Sequence, residues 1–301
     1  MIVREGINLD GVPLVRLESD RLQVDLAPSI GGRIVSLIEK RSGHEFLWRN
    51  PALPLQKLPP CSDYDPNFFG GIDELLPNDM RENIQGINCP DHGELWTTVL
   101  DHQNQGQRLK LRGKLPLFGL LYEREISLPD GSARLDFSYR ISNPTNQPRT
   151  FLWKLHAALA VAAGDVIDCP ARKAKIVDPA SSRYDTLAPF DWPVIEGYQA
   201  NVVRPPDGTL DFFYLFDLTE GRVGWRRPGT GLEFTYEFDR RVFRYAWLFA
   251  SYGGFYDHYT VVVEPCTCMP MSVNEAAGRG QCSRLEAGES LITKVSLSVR
   301  V

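Results

Sequence analysis

Ala133-Arg134-Leu135-Asp136-Phe137-Ser138-Tyr139-Arg140-Ile141-Ser142 is the stretch whose pattern decides the fold class. Leu135, Phe137, Tyr139 and Ile141 alternate with Arg134, Asp136, Ser138, Arg140 and Ser142. Successive side chains of a strand point to opposite faces, so this period of two describes a strand with one dry face and one wet face. Pro129-Asp130-Gly131, just before it, carries turn chemistry, and residues 117–128 before the turn are again strand-like. The two segments predict a hairpin.

The same grammar extends in both directions. Leu22-Gln23-Val24-Asp25-Leu26 alternates until Pro28-Ser29-Ile30-Gly31-Gly32 breaks it, and a second strand, residues 33–39, turns at Arg41-Ser42-Gly43 toward Glu45-Phe46-Leu47-Trp48. Downstream, Asn143-Pro144-Thr145-Asn146-Gln147-Pro148 closes a turn into Phe151-Leu152-Trp153-Lys154-Leu155-His156. Lys154 and His156 are two apart and must share a face. Val223-Gly224-Trp225 and the alternating Leu232, Phe234, Tyr236 and Phe238 flank Pro228-Gly229-Thr230-Gly231 as another hairpin. Val295, Leu297, Val299 and Val301 alternate to the C-terminus. Residues 51–88 and 164–208 read as loops, the second with short strands. Amphipathic helical patterns are nearly absent. The expectation is an all-β chain, a large antiparallel β-sandwich, forming a single domain over residues 1–301.

Composition narrows the function. The 33 Lys and Arg against 38 Asp and Glu leave a formal charge of -5, and no basic run forms a stripe able to neutralise phosphates, so nucleic acid is excluded as a partner. No apolar run approaches the ~18 residues of a membrane span, and Met1-Ile2-Val3-Arg4-Glu5-Gly6 lacks the pattern of a signal peptide. The expected location is cytoplasmic, with no membrane partner. Cys61, Cys89, Cys169, Cys266, Cys268 and Cys282 show no paired zinc spacing and are expected to be free thiols, with no metal. A Gly-x-Ser-x-Gly elbow and a nucleotide-binding glycine fingerprint are both missing, which argues against serine hydrolysis and against kinase or dehydrogenase chemistry.

Three segments carry ionisable groups where a strand core is expected. His92 lies in Pro90-Asp91-His92-Gly93-Glu94-Leu95-Trp96, His156 ends the strand with Lys154, and Glu264 sits in Tyr259-Thr260-Val261-Val262-Val263-Glu264-Pro265. A buried charge or imidazole costs several kcal/mol unless it has a partner or a task, so these are candidates for one acid/base pocket. Phe68-Phe69-Gly70-Gly71-Ile72-Asp73-Glu74-Leu75-Leu76-Pro77-Asn78 reads as a loop that could deliver Asp73, Glu74, Asn78 or Arg81 to the His92 segment. Trp96, Trp153, Trp192, Trp247 and Tyr252 could stack on a sugar ring, with core packing the alternative for each. If Arg33, Arg81 and Lys154 converged, they could hold a phosphate.

Taken together and in order, Ala27-Pro28-Ser29-Ile30-Gly31-Gly32-Arg33-Ile34, Asp91-His92-Gly93-Glu94-Leu95-Trp96, Lys154-Leu155-His156, Leu210-Asp211-Phe212 and Val263-Glu264-Pro265 resemble the aldose 1-epimerase (galactose mutarotase-like) superfamily over nearly the whole chain. The His-Gly-Glu-Leu-Trp context is similar to mutarotase-like proteins of unassigned substrate. The resemblance implies a β-sandwich with a sugar pocket on a concave sheet and an aldose 1-epimerase activity that needs no cofactor. It assigns Glu264 as the base that takes the anomeric hydroxyl proton, His156 as the acid that protonates the ring oxygen, and His92 as a hydrogen-bonding partner near that oxygen. Asp211 would hold ring hydroxyls, and Arg81 is the nearest match to an upstream sugar-binding arginine. With Glu74, Lys154 and Trp247 these complete the expected substrate-binding set. The alternative is a non-catalytic carbohydrate-binding or sensing protein on the same scaffold.

Overall fold

A computed structural model describes residues 1–301 and contains 26 strands against a single α-helix, Val273–Gly278. The strands form two large antiparallel sheets. One runs, edge to edge, through the N-terminal meander (Ile2–Leu9, Val12–Glu18, Leu22–Ala27, Arg33–Glu39) and then Ile72–Leu75, Lys154–Leu159, Tyr259–Cys266, Tyr245–Tyr252, Leu210–Phe216, Lys173–Ile176 and Phe190–Asp191. The other is built around Ser290–Arg300, with Glu233–Phe238 on one side and Arg134–Ser142, paired to Leu121–Ser127, on the other.

The anticipated hairpins form. Leu121–Ser127 pairs with Arg134–Ser142, and Arg222–Arg226 pairs with Glu233–Phe238. Leu135, Phe137, Tyr139 and Ile141 are all buried and belong to a core cluster of 67 residues that also takes Leu155, Ala157, Val261, Val263 and Leu248 from the other sheet. One face of each sheet is therefore spent on the same apolar interior, as burial of alternating residues requires. Val301, read as the end of that pattern, is exposed.

Residues 51–88, read as loop, hold three short strands, of which Glu82–Ile84 and Ile87–Cys89 pair only with each other. Ile72–Leu75 is not loop: it is a short strand between Arg33–Glu39 and Lys154–Leu159, near the middle of the larger sheet. All four of its residues are buried, including Asp73 and Glu74. Because both faces are covered, polar and apolar residues do not alternate, and the usual strand signal is lost.

The site follows from register. Asp73 pairs with His156, and the pairings Lys154 with Cys266 and Ala157 with Val263 set His156 opposite Glu264. Glu264 in turn pairs with Trp247, and Trp247 with Tyr214. Directly opposed residues share a face, so Asp73, His156, Glu264, Trp247 and Tyr214 form one row on the face of the sheet opposite to Leu155, Ala157, Val263 and Leu248. The next row, Ala158, Val262, Phe249 and Phe212, is apolar.

Candidate active site

Above these rows lies a cavity of about 300 Å³. Its floor is the sheet face, with Lys154, His156, Val262, Glu264, Phe249 and Phe212. Its walls are loops carrying Tyr64, Asp65, Phe68, Asp79 and His92 on one side, Phe255 on another, and Asp178 to Tyr184 at the far edge of the sheet. His92, His156 and Glu264 all line it, though they come from a loop and two strands 64 and 108 residues apart in sequence.

His156 is oriented by buried partners. Its Nδ1 lies 2.9 Å from Asp73 Oδ1 and 3.3 Å from the Tyr64 hydroxyl. The second oxygen of Asp73 accepts from Arg33 at 2.6 Å and from Tyr64 at 2.7 Å. Burial alone would push the Asp73 carboxyl up, but Arg33, His156 and Tyr64 outweigh it and bring it down to about 2. With an ionised Asp73 at Nδ1, that nitrogen holds the proton and Nε2 is left for a ligand.

His92 owes its place to backbone. It adopts φ 57° and Gly93 φ 74°, and the turn rests on Leu76, where a Cβ on Gly93 would collide with the Leu76 carbonyl. The His92 N–H donates to the Asp79 carbonyl, and the Asn78 side chain donates to the carbonyls of Met80 and Pro90 at 2.8 and 2.7 Å, closing the two loops on each other. The imidazole stacks on Tyr64 at 4.1 Å between centroids, with Nδ1 2.8 Å from Asp91 and Nε2 3.6 Å from Asp79. Burial pushes its pKa down, but the Asp91 hydrogen bond and the Asp79 charge prevail and raise it. Asp65, Asp91 and His92 bring donor atoms within 4.8 Å of one another. Hydrogen bonds hold Asp91 there, accepting from His92 with one oxygen and from the Tyr64 N–H with the other, while Asp65 stands 3.9 Å from His92 Nε2.

Glu264 is 1% exposed, and Lys154 Nζ lies 2.5 Å from its Oε2. The approach has ion-pair distance without hydrogen-bond geometry, so Oε2 accepts no hydrogen bond within the protein. Lys154 donates instead to Asp79 Oδ2 at 2.6 Å and sits 4.2 Å above the Trp247 ring. Burial opposes the Lys154 charge, but Asp79 and Glu264 more than compensate and hold the ammonium well above its usual range.

Residues 10–199 match the family model of a domain of unknown function, DUF5107. The chain belongs to the DUF5107 family. No protein of curated function matches the sequence of this DUF5107 chain. Among solved structures it is similar to a galactose mutarotase-like protein from Clostridium acetobutylicum (TM-score 0.74, 15% identity, 99% of this chain and 98% of that one). Comparable likenesses are the Slr1438 protein from Synechocystis sp. PCC 6803 (0.73, 18%, 98% of each chain) and the galactose mutarotase related enzyme from Lactobacillus acidophilus (0.70, 13%, 96% and 97%). The fold of this DUF5107 chain is thus the galactose mutarotase-like β-sandwich.

Four of the anticipated substrate-binding residues are placed elsewhere or otherwise engaged. Glu74 points to the core side of its strand, where Arg124 (2.8 Å), Tyr139 (3.0 Å) and Trp153 (2.9 Å) donate to it. Arg81 is exposed and pairs with Asp63 outside the cavity. Trp247 is fully buried beneath Lys154, its indole N–H given to the Cys268 carbonyl. Asp211 borders the cavity but pairs across the sheet with Ala250, on the core side, and both its oxygens accept from Arg183 at 2.8 Å. Lys154 lines the cavity, but with its charge shared between two carboxylates.

None of the five aromatics proposed for stacking lines the cavity; Tyr64, Phe68, Phe212, Phe249 and Phe255 do. Tyr64, Asp79 and Arg183 were not visible as site residues, since each lies in a loop without periodicity. The Phe212 and Phe249 positions could have been found, because both lie on the strand face that Glu264 shares. Arg33 is closed off by Asp73, so Arg33, Arg81 and Lys154 do not form a phosphate site. The six cysteines are free. Cys266 and Cys268 are buried, bond to backbone carbonyls through sulfur, and have their thiols pushed up by burial.

Proposed function

We propose that the chain is an aldose 1-epimerase that interconverts the α and β anomers of an unphosphorylated aldose. The observation that carries this reading is the Glu264–His156 pair: a carboxylate and an imidazole that both line the cavity, opposite each other on neighbouring strands, with the imidazole Nδ1 held by Asp73. Opening a hemiacetal needs one proton taken and one supplied, and these side chains suit that pair of tasks.

In the proposed reaction Glu264 takes the proton of the anomeric hydroxyl as the bond from C1 to the ring oxygen breaks. The ring oxygen receives a proton from the His156 imidazolium, leaving an open-chain aldehyde. Rotation about C1–C2 presents the other carbonyl face; on reclosure the hydroxyl returns its proton to His156 and the new anomeric oxygen regains one from Glu264. His92 is a donor beside the ring oxygen, and the Phe212, Phe249 and Phe255 side chains offer the apolar surface that the C–H face of a sugar packs on. The full engagement of Arg33, Arg81 and Lys154 supports a substrate without phosphate.

The second reading, a carbohydrate-binding protein without catalysis, is favoured by one observation: the charge of Glu264 is already met by Lys154. Polarimetry on freshly dissolved α-anomers of hexoses, pentoses and their 6-phosphates separates the two. Catalysed approach to the anomeric equilibrium, faster for free sugars than for phosphates, is the expected result. A sugar that binds, by a rise in melting temperature, while no sugar in the panel mutarotates faster, would establish the binding protein instead.

A further inference from the structure

The residues around Glu264 make a continuous chain across the cavity. Asp91 accepts from His92 at 2.8 Å; His92 Nε2 lies 3.6 Å from Asp79 Oδ1; Asp79 Oδ2 accepts from Lys154 at 2.6 Å; and Lys154 Nζ lies 2.5 Å from Glu264. The members come from two loops and two strands. Lys154 is the member in contact with both Asp79 and Glu264, and it is 2% exposed, with the Trp247 ring closing its other side. Such a lysine has no room to swing toward solvent.

Charge along the chain explains why it is there. With His92 protonated, three carboxylates along the chain face two cations, and at the Glu264 end Lys154 is the cation in contact with the carboxylate. Two carboxylates brought together without the ammonium would have to share a proton. We propose that Lys154 is a positioning residue that fixes the Glu264 carboxylate in the cavity and keeps it in the proton-accepting form. This rests on the epimerase reading for its role in turnover, but not for its effect on Glu264. It also gives the Lys154–Glu264 contact a task other than silencing the base. A lysine kept charged by two carboxylates is a poor nucleophile, so imine formation with the open-chain aldehyde is not part of the proposal.

Glu264 is faced by Lys154 and His156 from one neighbouring strand and by Trp247 from the other. Asp79, His92 and Tyr64 reach in from the loops, Asp73 lies one strand beyond His156, and Cys266 is on its own strand. Of these only Lys154 contributes a full positive charge in contact with the carboxylate.

The test uses two readouts on the full chain. Protein labelled with ¹³C at the glutamate carboxyls is titrated by NMR, with Glu264 identified by its absence in E264Q, and the pH dependence of kcat/KM is followed by polarimetry. In K154M the Glu264 titration and the acid limb of kcat/KM should both move to higher pH by one unit or more. The plateau should fall by about tenfold as the carboxylate loses its fixed orientation. K154R, which keeps the charge, should return the acid limb toward wild type. D79N, which leaves Lys154 to Glu264 alone, should move it the opposite way to K154M and stands in if K154M does not fold. An acid limb and a Glu264 titration that stay put in K154M while the melting temperature drops would reduce Lys154 to packing and overturn the proposal. If wild-type protein accelerates no mutarotation, the epimerase reading fails. The NMR titration still decides whether Lys154 governs Glu264.

Discussion

Asp73 and Glu74 are adjacent residues of one strand, both carboxylates, both nearly inaccessible, and they do opposite things. Glu74 faces the sandwich interior, where Arg124, Tyr139 and Trp153 together satisfy both its oxygens. Asp73 faces the cavity side, where Arg33 and Tyr64 leave it free to orient His156, next to a Glu264 oxygen that no hydrogen bond satisfies. A buried charge surrounded by donors on every side ties two sheets together. A buried charge on the cavity side that holds an imidazole in place serves the site instead.

The sharpest way to break this comparison is to remove the satisfied charge. Glu74→Ala strands Arg124 in the core and should cost about 3–5 kcal/mol, read from the urea midpoint. A cost below about 1 kcal/mol would show that the network is not what joins the sheets there. Next comes Glu264, the carboxylate that lines the cavity beside the Asp73–His156 pair. Glu264→Gln should lower the mutarotation rate by roughly 100-fold, equivalent to about 2.7 kcal/mol of barrier, with sugar binding and melting temperature nearly unchanged. His156→Asn should lose a similar amount, and the double variant far less than the product, since the two groups act together. Multiplicative losses would mean that they work in separate steps.

Acid sharpens the comparison further. Asp73 is brought down to about 2 in the folded chain, so its contribution is fully present above the ordinary carboxyl value of 3.8 and is lost as pH falls from there toward 2. The loss should be on the order of 2 kcal/mol and should vanish from the pH dependence in Asp73→Asn, measured by denaturant unfolding at pH 2 to 6. The smallest effect belongs to Arg81, whose pair with Asp63 is exposed on both sides. Arg81→Ala should change stability by less than about 0.5 kcal/mol and leave the rate as it is. A large loss of rate would put Arg81 back in the sugar site.

Much of the scaffold could be read without coordinates, and the reasons are local. The alternation in residues 133–142 and in the C-terminal strand records which side chains meet water, and glycine and proline turns mark where chains reverse. The shared face of Lys154 and His156 follows from their spacing alone. Ile72–Leu75 was missed because a four-residue strand covered on both faces has no alternation to show. Glu74 was misassigned as a consequence: a loop can aim any side chain, whereas a strand sends neighbours to opposite faces. The same rule, applied to Leu210–Phe216, turns Asp211 to the core side and leaves Phe212 on the cavity side.

What the sequence by itself determined, then, is everything set by near neighbours: an all-β chain, its hairpins, and a short roster of ionisable groups standing in apolar runs. The tertiary structure decided which of those groups meet. Lys154 touches Glu264 because strands more than 90 residues apart in sequence lie side by side in one sheet, and Arg183 takes Asp211 because a loop crosses that sheet's edge. Pairing between distant strands depends on how the whole sheet is ordered and registered, and no local pattern of residues carries that information.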